Sequence, residues 1–153
     1  MTPFGISRKK AKEEKKETAL TQPAQKTLLE ELCGGNDELY QALSRTILLN
    51  PKVTAKEGID FHFEKAQEHE KNGDNMRARI EYHVAGELAL YEEKMALAQK
   101  FFKKAAEVDP NFEHRKVFEY LSKKENAERA LAVAQEFYTK IGKSKETTES
   151  STA

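Results

Sequence analysis

The chain has 153 residues, 34% of them charged, and its basic and acidic residues balance to a formal net charge of zero. A balanced charge gives no overall field that would attract nucleic acid or an anionic membrane. The single cysteine, Cys33, excludes an intrachain disulfide and a zinc site built from cysteines. No apolar run approaches the ~20 residues that cross a bilayer. No apolar segment follows the basic residues at the N-terminus, so a cytoplasmic protein is expected.

Residues 1–21 are predicted to form a disordered charged tail. Between Met1 and Glu17 the chain carries six basic and three acidic residues, a net charge of +3. Such a segment cannot bury enough apolar surface to offset the entropy lost on ordering. The alternative is an arm that contacts RNA, DNA or an acidic protein, although Phe4 alone provides little for base stacking.

The first helical hairpin is predicted from Pro23 to Asn50. Proline suits the first turn of a helix, and Gly34-Gly35 can adopt the left-handed conformation that often ends one. Asn36 is placed to cap the second helix, which Asn50-Pro51 should end. Apolar residues at helical spacing mark the inward faces of the two helices: Leu28, Leu29 and Leu32 in the first, and Leu39, Leu43 and Ile47 in the second.

Four further boundaries follow along the chain. Thr54 and Glu57 form a capping box for a helix that reaches about Lys71. Asp74 caps the next helix. Asp109-Pro110 is predicted to cap and start the sixth helix, which reaches about Leu121. The last helix is predicted from about Asn126 to Ile141, and the polar residues 143–153 are predicted to be a disordered tail.

A pattern of small and aromatic residues recurs between Asp60 and Pro110. Short side chains let helix axes approach closely, and an aromatic side chain one turn later fills the space beside the contact. The first occurrence comprises Ala66, Ala78, Tyr82 and Ala85, and the second comprises Gly86, Ala98, Phe102 and Ala105. This pattern resembles the tetratricopeptide repeat, a roughly 34-residue helix-turn-helix unit. The two copies overlap, so the helix from about Asn75 to Tyr91 belongs to both.

The sequence therefore predicts an all-α fold over residues 22–142. No segment alternates apolar and polar residues with a period of two, so strands are not expected. The resemblance implies antiparallel helical hairpins stacked as a short tetratricopeptide-like array, either a right-handed superhelix or a compact bundle.

The function implied by the resemblance is a non-catalytic adaptor that binds a peptide or protein partner. If the resemblance is carried over residue by residue, the partner-binding face would comprise Phe63, Gln67, Glu70, His83, Glu87 and Leu90. Some members of the family hold a C-terminal carboxylate with lysine and asparagine. Phe63 and Gln67 occupy the matching places here, which disfavours that ligand.

Two alternatives remain open, and no catalytic or metal site is predicted. One alternative is a compact bundle similar to microtubule-interacting-and-transport domains, which would bind a partner helix between its own helices. The other is a nucleic-acid-associated protein that acts through its basic tail. His62 and His69 lie two turns apart, too far for one metal ion with bonds near ~2 Å. The four histidines are interpreted as surface residues, and no cofactor is predicted.

Overall fold

The computed structural model describes residues 23–47 and 57–152, with side-chain environments for residues 27–46 and 57–142. These residues contain no strand, which confirms the predicted all-α class. The α-helices are α1 (Pro23–Cys33), α2 (Asp37–Ala42), α3 (Ile59–Lys71), α4 (Asn75–Tyr91), α5 (Met95–Val108), α6 (Arg115–Leu121) and α7 (Lys124–Thr152), and a π-helical turn (Leu43–Ile47) follows α2.

Two of the predicted helix caps are confirmed. The Asn36 side chain accepts a hydrogen bond from the Leu39 amide at 3.0 Å. The Asp74 carboxylate accepts one from the Arg77 amide at 3.1 Å. Each bond satisfies an amide that has no partner within its own helix. Gly73, with φ of 77°, makes the tight turn between α3 and α4.

The small residues singled out by the sequence lie where helices cross. Ala66, Ala78, Ala85, Ala98 and Ala105 have no exposed surface. They belong to α3, α4 and α5, which form a layer in which α4 packs against both of its neighbours. Short side chains at these positions allow the three helices to pack closely.

The order of the helices in space differs from their order in the chain. Helix α3 packs mainly on α4, and α5 packs on α6. The hairpin of α1 and α2 precedes α3 in the chain, but it packs mainly against α6 and α7. Helix α7 contacts α1, α2, α4, α5 and α6, so it is the common packing partner of both ends of the molecule. Among the described residues, α7 therefore connects the N-terminal hairpin to α4 and α5.

The predicted start of the sixth helix at Asp109-Pro110 is wrong, because α6 begins at Arg115. Asp109 accepts a hydrogen bond from Nε of Arg79 at 2.9 Å. The Arg79 guanidinium also lies 3.6 Å from the centre of the Phe112 ring. These contacts hold residues 109–114 as a turn against α4, so the Asp109 carboxylate serves an ion pair rather than a helix cap.

Two other helix boundaries differ from the prediction. Helix α3 begins at Ile59 after an extended Gly58, and the start of the predicted capping box, Thr54, lies outside the described residues. The second predicted helix is α-helical only to Ala42. It continues as the π-helical turn, in which the buried Thr46 hydroxyl donates a hydrogen bond to the Ala42 carbonyl. Ser and Thr hydroxyls that bond to a preceding carbonyl often distort helices in this way.

The last helix extends further than the sequence predicts. Helix α7 continues through Gly142 to Thr152, so most of the predicted polar tail, residues 143–153, has helical backbone. A glycine costs a helix only about 1 kcal/mol relative to alanine, and nothing in the polar sequence after it forbids helix. The predicted N-terminal tail, residues 1–21, lies outside the described residues.

Candidate functional site: a groove between α3 and α5

A groove of about 520 Å³ separates α3 from α5, with α4 beneath it. Its size lies within the range of pockets that bind small molecules or the anchoring side chains of a peptide. The residues that line it come from three consecutive helices: Phe63, Gln67, Glu70 and Lys71 of α3, Tyr82 of α4, and Lys100 and Lys104 of α5. We call this site the α3–α5 groove.

Aromatic rings provide the apolar part of the groove. The Phe63 ring lies 5.3 Å from the ring of Phe101 and 6.4 Å from that of Tyr82, centroid to centroid. Phe101 and Tyr82 are buried, which fixes their rings, while Phe63 is half-buried and keeps part of its surface open to the groove. Tilted ring pairs at these separations are favourable beyond the area they bury.

A hydrogen-bonded carboxylate joins the three helices at the groove. The Tyr82 hydroxyl donates to Oε1 of Glu70 at 2.6 Å, and Nζ of Lys104 lies 3.4 Å from Oε2. The Tyr82 hydrogen bond is the main reason that the pKa of Glu70 lies below its ordinary value, and burial raises the pKa of Tyr82, with Glu70 adding to that rise. Glu70 is therefore ionised at neutral pH, and both of its oxygens have partners.

Three lysines line the same groove and make it basic: Lys71, Lys100 and Lys104. With one glutamate among the lining residues, the formal charge of the lining is +2. Nζ of Lys100 lies 5.0 Å from the centre of the Phe63 ring, within cation–π range. Lys71 and Lys100 are exposed and form no ion pair within the described part of the chain. Their charges are thus available to an anionic ligand.

The structure separates the six predicted site residues into two groups. Phe63, Gln67 and Glu70 lie together in the α3–α5 groove. The other three lie on a different face of α4, which packs towards α6 and α7. There Glu87 is 4% exposed and Leu90 is fully buried. Successive helical residues are turned by about 100°, so His83 points away from the groove to which Tyr82 contributes. Glu87 and Leu90 have no surface to offer a partner in this fold.

His83 and Glu87 form a buried pair in that second region. Nε2 of His83 lies 2.6 Å from Oε1 of Glu87, and the His83 ring meets the Phe118 ring edge-on, 5.2 Å between centroids. Burial raises the pKa of Glu87, and the His83 hydrogen bond partly offsets that rise. Burial together with the Glu87 charge raises the pKa of the neighbouring Tyr138 to about 12. The pair lies within α4, and the contact of the His83 ring with Phe118 joins α4 to α6.

The interpretation of the histidines as surface residues is wrong for two of them. The side chains of His62 and His83 are 15% and 18% exposed, and each pairs with a glutamate. Nδ1 of His62 lies 2.6 Å from Oε2 of Glu81, which joins α3 to α4. Each glutamate pairs with one ring nitrogen of its histidine, whereas Nε2 of His62 is buried without a hydrogen-bond partner among the described residues. Among the described residues, no three His, Cys, Asp or Glu side chains are arranged to hold a metal ion.

Sequence reasoning missed Lys71, Tyr82, Lys100 and Lys104 as residues of the site. Lys100 and Lys104 are four residues apart, so they share one face of α5, and this spacing was the available signal. Nothing in the local sequence shows that this face lies opposite α3.

Within the described residues, no helix combines the length and apolar character needed to cross a bilayer. Comparisons with protein-family models, curated proteins and solved structures find no match to this chain.

Proposed function

We propose that this chain is a non-catalytic adaptor that binds a peptide or protein partner in the α3–α5 groove. The observation that carries the proposal is the groove itself, about 520 Å³, lined by the half-buried Phe63 ring and by charged side chains. An apolar centre with a polar rim is the usual anatomy of a protein interface. Rigid aromatic side chains in a pocket are typical sites of strong binding.

The tetratricopeptide-like architecture belongs to the same proposal. The burial of every alanine in the repeated pattern supports it, as does the contact between Gly86 and the Phe102 ring. The packing of the N-terminal hairpin on α6 and α7 favours the compact-bundle form over an open superhelix. An open array would bind its partner on a concave surface lined by the first helices of its hairpins, whereas a compact bundle would bind a partner helix in a groove between helices.

A variant that fills the groove tests this function. Gln67 is exposed and lines the groove, so Gln67→Trp places a large ring there without disturbing the core. Glu64 is also exposed on α3 but does not line the groove, so Glu64→Trp is the matched control. The full chain and both variants are immobilised and exposed to cell extract, and the retained proteins are identified.

We expect the parent and Glu64→Trp to retain the same proteins and Gln67→Trp to lose them. Equal retention by both tryptophan variants would refute binding in the groove. If retention instead disappeared on removal of residues 1–17, the function would belong to the basic tail. Circular dichroism spectra that match the parent show that each variant is folded.

A further inference from the structure

The charges of the α3–α5 groove are not balanced internally, and this imbalance indicates the class of its ligand. The inference rests on the proposed function, since it concerns the same groove. Of the three lining lysines, Lys104 is paired with Glu70 at 3.4 Å. Lys71 and Lys100, on opposite walls of the groove, have no such partner among the described residues. A ligand with carboxylates would supply the missing counter-charges.

Among the described residues, Glu70 is the one carboxylate that lines the groove, and it is poorly placed to bind a basic ligand. Both oxygens of Glu70 already accept contacts, from the Tyr82 hydroxyl at 2.6 Å and from Lys104 at 3.4 Å. A lysine or arginine of a partner that approached Glu70 would also face the ammonium groups of Lys71 and Lys100, which pair with no carboxylate among the described residues. Like charges placed opposite each other oppose binding. The groove therefore discriminates against basic segments.

The aromatic lining of the groove sets a second requirement. Phe63 offers an exposed part of its ring beside Lys100, whose Nζ lies 5.0 Å from the ring centre. An aliphatic or aromatic side chain seated on Phe63 would exclude water from this ammonium and strengthen its attraction to a carboxylate. An apolar side chain flanked by acidic residues meets both requirements.

We propose that the α3–α5 groove binds an acidic segment of a partner protein, with an apolar side chain seated on Phe63 and side-chain carboxylates bound to Lys71 and Lys100. The chain's own N-terminal tail does not fit this description, because residues 1–17 carry a net charge of +3. Residues 143–153 do not fit it either, since their two lysines balance their two glutamates.

Defined peptides test the ligand class directly. The probe is a fluorescent 15-residue peptide with leucine at helical spacing and glutamate elsewhere, acetylated and amidated so that no terminal carboxylate contributes. Two matched peptides replace glutamate by lysine or leucine by serine. Anisotropy titrations with the full chain are expected to show saturable binding of the acidic leucine peptide and at least about tenfold weaker binding of the other two.

Charge reversal in the protein locates the binding. Lys71→Glu/Lys100→Glu is expected to weaken binding of the acidic peptide about tenfold or more. Lys116→Glu/Lys123→Glu is the control, since it makes the same charge change at two exposed lysines that do not line the groove. We expect the control to leave the affinity within about twofold of the parent at 0.15 M salt, where distant charges are screened.

The outcomes separate this inference from the proposed function. If Gln67→Trp abolishes capture from extract but the acidic peptide does not bind, or binds both double variants equally, the ligand class is wrong and the groove function stands. If Gln67→Trp leaves capture unchanged, the groove function itself fails. A single-stranded oligonucleotide that binds more tightly than the peptide and competes with it would also overturn the inference. Matching circular dichroism spectra show that the double variants are folded.

Discussion

Replacing Gly86 by alanine is expected to destabilise the fold, although alanine is the better helix former. A Cβ added at Gly86 would lie 2.9 Å from Cε1 of Phe102 and 3.0 Å from both Cδ1 and Cζ. Carbon atoms in contact ordinarily lie ~3.5–4.0 Å apart, so the ring or the helix must move by about 0.5–1 Å. Phe102 is fully buried and lies 6.5 Å from the Phe118 ring in a stacked pair, which resists such a shift.

Two opposing free energies decide the effect of Gly86→Ala on stability. Helix propensity favours alanine by ~0.8–1.0 kcal/mol. Overpacking a well-filled core costs ~1–3 kcal/mol. The expected net change is a loss of about 1 kcal/mol in the free energy of unfolding, which lowers the Tm of a domain of this size by about 4 °C. Urea denaturation and thermal melting monitored by circular dichroism measure both quantities.

Two controls isolate the contact between Gly86 and Phe102. Gly142 lies in α7 with nothing within 4 Å of its Cβ position, so Gly142→Ala should be neutral or slightly stabilising. In a Phe102→Leu background, where the ring is gone, Gly86→Ala should lose its penalty and become stabilising by up to about 1 kcal/mol. If Gly86→Ala stabilised the parent as much as the Phe102→Leu variant, the reasoning on close helix packing would be refuted.

Three further predictions concern the core and its buried charges. Ala98→Leu should destabilise the fold by about 1–3 kcal/mol, since Ala98 has no exposed surface, and an unchanged melting curve would contradict this. Arg79→Lys should cost about 1 kcal/mol in urea denaturation by losing the stack on Phe112, whereas Arg77→Lys, at an exposed arginine, should cost almost nothing. Burial raises the pKa of Glu87, so its neutral form stabilises the fold at low pH and that contribution is lost as pH rises through the folded-state pKa. Glu87→Gln should therefore gain stability relative to the parent as the pH rises above about 4, the ordinary pKa of a glutamate, and a difference independent of pH would count against it.

The sequence predicts the local features of the fold well because their causes are local. Asn36 and Asp74 cap helices through bonds to amides three residues away, and each was recognisable from its own segment. The same principle fails at Asp109, because Arg79, thirty residues earlier, competes for its carboxylate. From the sequence alone, an aspartate that caps a helix cannot be distinguished from one that pairs with an arginine, because only the tertiary fold shows which arginine is within reach.

The candidate site was only half predictable for a related reason. Phe63, Gln67 and Glu70 share a face of α3, and the helical period alone groups them. The sequence does not show which face of α4 packs between α3 and α5. His83 and Glu87 could therefore not be assigned to or excluded from the surface that carries Phe63. Several sides of α4 pack against other helices, so its apolar residues do not lie on one face that would show its orientation. Lys100 and Lys104 were missed because only the packing of α4 against both neighbours places α5 opposite α3.

The dependence of the N-terminal hairpin on α7 also has a consequence for biosynthesis. The hairpin buries Leu29, Cys33 and Leu39, and α7 is one of its main packing partners. About 90 residues separate Cys33 from Lys124, where α7 begins, and translation at ~5–20 residues per second adds them in roughly 5–20 s. During that interval α3, α4 and α5 can already pair with one another, while the hairpin of α1 and α2 still lacks α7, one of the helices on which it packs. A chaperone that recognises nascent apolar segments would find a target in this hairpin until α7 is synthesised.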